Sequence, residues 1–169
     1  MATTSFKGES VNLVGDELKI GDLAPVVTVV DTGLNDLDIG GANDKIQLVI
    51  AVPSLETKVC AAETRKFNQE VANLSIVDTT VVSMDLPFAS ERFCSTEGIA
   101  NLKVASDYVD KDFSVSYGVL MADGKLRGLC ARAVFVIDRS GKIVYKEIVP
   151  EVTAEPNYAA VLDAIKEAR

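Results

Sequence analysis

The chain has 169 residues, 48% hydrophobic and 25% charged, which fits one globular domain over 1–169 and excludes a disordered protein. Its net charge of −8, without any basic block, argues against nucleic-acid and anionic-membrane partners. Three cysteines and no histidine exclude a Ser-His-Asp triad, a Cys-His dyad and every histidine-bearing zinc site. Residues 3–7 and 11–14 flank "GES" and read as a small hairpin. "PVVTVVD" (25–31) is a β-branched strand, and "KIQLVIAVP" (45–53) is a near-continuous apolar run, as in a strand buried on both faces. The next segment, 58–74, is helical, with Cys60, Thr64, Phe67, Val71 and Leu74 on one face. A strand over 76–85 follows, then a short helix over 87–98 with proline at its start and glycine at its end. "LKVASD" is a brief strand or loop, and 111–118 a helix of one to two turns. Strands 129–138 and 142–149 form a hairpin through "RSG", with Gly141 in the turn. The segment 155–168 is an amphipathic helix with Tyr158, Val161, Leu162 and Ile165 on one face.

This order is a βαβ half followed by a ββα half. It predicts an α/β thioredoxin fold, with a mixed central sheet flanked by helices and an N-terminal β-hairpin. The first residues lack the apolar stretch of a secretory signal, and no run of about 18 apolar residues occurs. The expected location is the cytoplasm, where an odd cysteine count speaks against a structural disulfide framework. The cysteines are each more than thirty residues apart, so no CxxC knuckle or redox pair exists.

Cys60 stands just past a buried strand, in the first turn of the following helix, where open α/β sheets place their sites. Thr57 is a plausible N-cap, which puts Cys60 at the third helical position. Unpaired backbone N–H groups and the positive end of the helix dipole then face the sulfur. Lys58, Arg65 and Lys66 add positive charge, with Glu63 partly offsetting them. Such surroundings bring cysteine thiols into the range of about 3.5–7.5. The gain is bounded: a thiol titrating near 8.5 is already a few per cent thiolate at pH 7, so full ionisation gains about thirtyfold, or about 2 kcal/mol. Fast chemistry also needs transition-state stabilisation, with the Thr57 hydroxyl and an arginine from elsewhere as candidates.

Pro53-x3-Thr57-x2-Cys60 resembles the PxxxTxxC active-site motif of peroxiredoxins. "VPSLETKVC", "DLPFASERFC", "EGI", "RGLCARAVFVID" and "PEVTAEPNY", in that order, resemble the bacterial thiol peroxidases, the atypical two-cysteine peroxiredoxins, over nearly the whole chain. Two positions depart from the pattern: Glu56 stands where the subfamily usually has aspartate, and Cys130 where it usually has an aliphatic residue.

The resemblance implies a thioredoxin-fold homodimer that reduces hydrogen peroxide and alkyl or lipid hydroperoxides without metal, haem or flavin. Cys60 would be the peroxidatic cysteine, whose thiolate attacks the nearer peroxide oxygen and becomes a sulfenic acid. Thr57 would hydrogen-bond the thiolate and the peroxide, Pro53 would shield the sulfur from water, and Arg132 would stabilise the developing charge. Cys94 would be the resolving cysteine, closing an intramolecular Cys60–Cys94 disulfide that thioredoxin reduces. Two cysteines in helical turns need not lie within the roughly 7 Å between Cα atoms that a disulfide requires, so local unwinding is expected around one or both. A thiol relay that senses peroxide and passes a disulfide to a partner protein is the alternative reading.

Arg132 lies within an apolar strand, where an arginine needs an anionic or polar partner; a thiolate would be one. Strand alternation puts Cys130 on the same face, about 7 Å from Arg132, where it is expected as a small core hydrophobe. Phe88, Phe93, Phe113 and Tyr117 are expected in the core or in a pocket wall.

Overall fold

The computed structural model describes residues 2–71 and 74–169. The chain opens with a hairpin of β1 (Thr3–Phe6) and β2 (Glu9–Val14). Its turn places Lys7 and Gly8 at φ 51° and 84°, the two positive values a tight primed turn requires. β3 (Val27–Asp31) and β4 (Asp36–Ile39) form a second hairpin, and β5 (Ile46–Ala51) follows with all six residues buried. α1 (Lys58–Glu70) leads to β6 (Val77–Ser83), and α2 (Pro87–Glu97) to β7 (Lys103–Ser106). Short α3 (Asp112–Ser116) and β8 (Leu120–Met121) precede β9 (Ala133–Ile137), β10 (Ile143–Ile148) and α4 (Tyr158–Glu167).

Among the described residues the main sheet has seven strands in the order β10-β9-β5-β6-β7-β3-β4. β5, β6 and β7 run parallel and the remaining pairs antiparallel, so the sheet is mixed as expected. β5 takes the centre because its run "IQLVIA" is apolar on both sides: Leu48 and Ile50 face one layer, Val49 and Ala51 the other. The first layer holds Phe67 of α1, Phe93 of α2, and Val161 and Ile165 of α4. The second holds Phe113 and Tyr117, whose rings stack at 4.7 Å. A separate sheet, β1-β2-β8, lies over a smaller core that includes Ala131 and Val152.

The predicted helices keep their places with shorter ends. α1 stops at Glu70, with Val71 as C-cap, so Leu74 lies outside the helix. Ala72 and Asn73, which the prediction included, lie outside the described residues. α2 ends where Gly98 takes a left-handed φ of 67°, and its N–H bonds the Cys94 carbonyl. β4 and β8 were not anticipated. β9 begins at Ala133 rather than residue 129, because Cys130 makes an isolated bridge to Leu120 instead of entering the sheet. Phe88 is 66% exposed, against expectation, while Phe93, Phe113 and Tyr117 are buried. Among the described residues no helix is long and apolar enough to cross a membrane.

Candidate active site

The loop after β5 turns sharply at buried Pro53 and feeds α1. Thr57 caps this helix: its backbone is extended and its Oγ1 accepts from the Cys60 N–H at 3.2 Å. The hydroxyl itself donates to the Ser54 carbonyl, at 3.3 Å, rather than to the sulfur. Cys60 is fully buried, with its free thiol in the first turn.

The cation beside that sulfur comes from far along the chain. Arg132, 2% exposed, stands immediately before β9 and enters the layer under α1. Its Nε donates to the Val152 carbonyl at 2.8 Å. Its Nη1 donates both to Cys60 Sγ, at 3.2 Å, and to Glu63 Oε2, at 2.6 Å. Burial works against the guanidinium charge, but the adjacent sulfur and the Glu63 carboxylate outweigh it and hold the group above the ordinary arginine value. Glu63 is fully buried, and desolvation pushes its carboxyl up to about 7 although Arg132 opposes the shift. Glu63 Oε1 has no hydrogen-bond partner among the described residues.

This corrects the expected electrostatics. Arg65 pairs with Glu97 at 3.0 Å, and Lys66 lies over the Tyr158 ring at 5.0 Å. Neither serves the sulfur; Arg132 does. Glu63, expected to offset the charge of Lys58, Arg65 and Lys66 in part, is instead the buried counter-ion of Arg132. The signal was available: three residues after Cys60, an acid stands on the helix face that packs inward.

The redoxin family profile matches residues 19–162. A thiol peroxidase of Aquifex aeolicus is 52% identical over 165 residues, covering 98% of this chain and 97% of that protein. The chain belongs to the thiol peroxidase family. A thiol peroxidase of Campylobacter jejuni is also 52% identical, over 97% of this chain and 92% of the relative. A crystal structure of a peroxiredoxin-like protein from Aquifex aeolicus superposes with a TM-score of 0.97 at 51% identity, covering 100% of this chain and 98% of that one. A thiol peroxidase from Chromobacterium violaceum shares the fold alone, with a TM-score of 0.88 at 19% identity and coverage of 98% and 95%. The thioredoxin fold expected from element order is therefore the fold of this thiol peroxidase family member, and its chemistry is that of a peroxiredoxin-type peroxidase.

Pro53, Thr57 and Arg132 line one pocket of about 210 Å³, together with Phe6, Val59, Leu126, Leu129 and Val152. Its wall is thus apolar around three polar or shape-fixing residues. Phe93, Phe113 and Tyr117 take the core places expected of them as one alternative, and the aromatic in this pocket is Phe6, from the N-terminal hairpin.

Cys94 is half-buried on α2 and packs against the same apolar layer as Cys60. Burial pushes its thiol up. Two ion pairs, Arg65–Glu97 and Arg92–Glu56, tie α2 to α1 and its cap loop. Glu56, one methylene longer than the residue the family usually has there, reaches Arg92 at 3.2 Å.

Cys130 does not share the Arg132 face. It packs with Ala133 and Phe135 in the opposite layer, because alternation starts only where β9 starts. Burial raises its thiol strongly, and the charges of Asp107 and Asp85 raise it further against Lys111.

Proposed function

We propose that this chain is a thioredoxin-dependent thiol peroxidase that reduces hydrogen peroxide and organic hydroperoxides. The observation that carries the proposal is the 3.2 Å contact from Arg132 to a buried cysteine sulfur at a capped helix N-terminus. A guanidinium and a helix end together favour an anionic sulfur, and the same guanidinium can meet charge that develops on peroxide oxygens.

The hydroperoxide head enters through the pocket bounded by Pro53, Thr57 and Arg132. The Cys60 thiolate attacks the terminal oxygen, an S–O bond forms, and the O–O bond breaks. The leaving alkoxide or hydroxide takes up a proton and departs as alcohol or water. Arg132 spreads its donors over sulfur and oxygen during this step, and Pro53 keeps bulk water from the sulfenic acid. The Cys94 sulfur then attacks the sulfenic sulfur; an S–S bond forms, the S–O bond breaks and water leaves. Thioredoxin returns both cysteines to thiols by dithiol exchange. The apolar wall of Phe6, Leu126, Leu129 and Val152 favours an alkyl tail over hydrogen peroxide alone.

In this reading the chain is one domain that works in the cytoplasm as a homodimer. The exposed apolar side chains Leu86, Phe88, Val109 and Val115, in the segments on either side of β7, suit a partner surface. Steady-state turnover with thioredoxin, thioredoxin reductase and NADPH tests the proposal. Many turnovers per chain are expected with cumene hydroperoxide and hydrogen peroxide; a single stoichiometric oxidation would favour the thiol relay instead.

A further inference from the structure

Oxidation of Cys60 and closure onto Cys94 make opposite demands on the fold. The first needs Thr57, Arg132 and the α1 N-terminus assembled around the sulfur. The second needs at least one of two helical cysteines to leave its place. One carboxylate binds the loop that leads into the Cys60 helix and stands in the segment that leads into the Cys94 helix.

Asp85 lies between β6 and α2 and is half-buried. Its Oδ1 accepts from Ser54 Oγ at 2.8 Å. Its Oδ2 accepts from the Leu55 N–H at 2.7 Å and from Ser83 Oγ at 2.9 Å. Ser83 Oγ accepts in return from the Asp85 N–H at 3.2 Å. From Ser54 the chain of bonds continues: its carbonyl accepts from Thr57 Oγ1, and Thr57 Oγ1 accepts from the Cys60 N–H. Hydrogen bonds therefore run unbroken from Asp85 to the backbone of Cys60. On its other side Asp85 is followed directly by Leu86 and Pro87, the N-cap and first residue of α2, and Leu86 makes no side-chain cap bond of its own.

The geometry points to Asp85 as a positioning residue that latches the Cys60 loop to the start of the Cys94 helix, so that its release sets how fast the Cys60 sulfenic acid is resolved. This rests on Cys94 being the resolving thiol. Three donors converge on one carboxylate, and charge-assisted bonds are about twice as strong as neutral ones. Leu55 is 1% exposed, so its N–H has no ready replacement when the latch opens. The loop from Ser54 to Thr57 cannot follow an unwinding α1 while Asp85 holds both Ser54 and Leu55.

Two reactions compete for the sulfenic acid. Closure takes the Cys94 thiol and releases water. A second hydroperoxide instead gives up one oxygen, forming sulfinic acid at Cys60 and leaving as alcohol. A tight latch favours the first oxidation and slows closure, which exposes Cys60 to the second. A loose latch does the reverse.

The test is single-turnover oxidation of full-length protein by cumene hydroperoxide, quenched with a thiol-alkylating reagent and mapped by mass. In Asp85→Ala the Cys60–Cys94 linkage should close at least about tenfold faster, the factor expected from losing a single bond to a charged acceptor, since the loop loses those of both Ser54 and Leu55. The sulfinic fraction at fixed hydroperoxide should fall in proportion, while the second-order oxidation of Cys60 slows. Asp85→Asn keeps an acceptor for Leu55 and should fall between. Ser83→Ala deletes one donor and should move all three readouts the same way by less, which covers the case of an Asp85→Ala protein that does not fold. General destabilisation would also ease unwinding, so the control is a core truncation remote from the latch: Cys130→Ala, in the opposite layer, should lower stability and leave the closure rate unchanged, and equally fast closure in it would overturn the latch. Closure unchanged or slowed in Asp85→Asn and Ser83→Ala would overturn the latch and leave the peroxidase reading standing. A wild-type linkage other than Cys60–Cys94 would overturn both.

Discussion

Cys60 and Cys130 are equally hidden, each at 0% exposure, yet their surroundings differ in kind. Cys60 has a helix N-terminus beneath it and a guanidinium at 3.2 Å. Cys130 has apolar neighbours from the opposite layer, and its thiol is driven up by burial and by the acids Asp107 and Asp85. Burial alone makes a cysteine a small hydrophobe. In the proposed mechanism the fixed positive charge is what separates a nucleophile from a core residue, and it comes from Arg132, held in place by Glu63 and the Val152 carbonyl.

The largest effect should come at the sulfur itself. Cys60→Ser should abolish hydroperoxide consumption in the thioredoxin-coupled assay, whereas Cys130→Ala should retain it. Next comes the cation. Arg132→Met should lower the second-order rate of Cys60 oxidation by about a hundredfold or more, the typical cost of one electrostatic group acting on a transition state. It also strands Glu63, so urea unfolding should show a loss of about 3–5 kcal/mol, the cost of breaking a buried pair.

Glu63 gives a smaller and pH-dependent effect. Its carboxyl titrates near 7 in the folded chain instead of its ordinary 4.5, so the folded state holds that proton more tightly than the unfolded state. Its contribution to stability is therefore full below about pH 4.5 and is lost as pH rises to about 7, amounting to about 3 kcal/mol. Glu63→Gln should remove that part of the slope in urea unfolding measured at intervals across the window. An unchanged slope would mean that Glu63 stays ionised throughout. The smallest effect belongs to Cys130→Ala: about 1 kcal/mol of stability from a small core truncation, and a turnover within about twofold of wild type.

Much of this contrast was legible in the sequence where the physics is local. The unbroken apolar run of β5, the Thr57 cap and the proline and glycine that bound α2 each act within a few residues. Glu63 was visible as an acid on an inward face, but its partner is 69 residues away, and no periodicity couples the two. The placing of Cys130 failed for a related reason. A period of two was extended through residues 129–132, but strand pairing there is replaced by a bridge to Leu120, which turns Cys130 into the other layer. β4, "DLDI", sits among glycine and aspartate and buries only Ile39 fully, so it carries almost no apolar signal. β8 has two residues and exists because β2 offers an edge to pair with.

The difference between the two buried cysteines is tested most directly by trapping the sulfenic acid. A Cys94→Ser protein, treated with one equivalent of hydrogen peroxide and a dimedone probe, is digested and mapped by mass. The label should fall on Cys60, with Cys130 recovered as the free thiol, and Arg132→Met in the same background should lose most of the label. Label on Cys130 at a comparable yield, or undiminished label on Cys60 without Arg132, would contradict the claim that the guanidinium rather than burial makes Cys60 reactive.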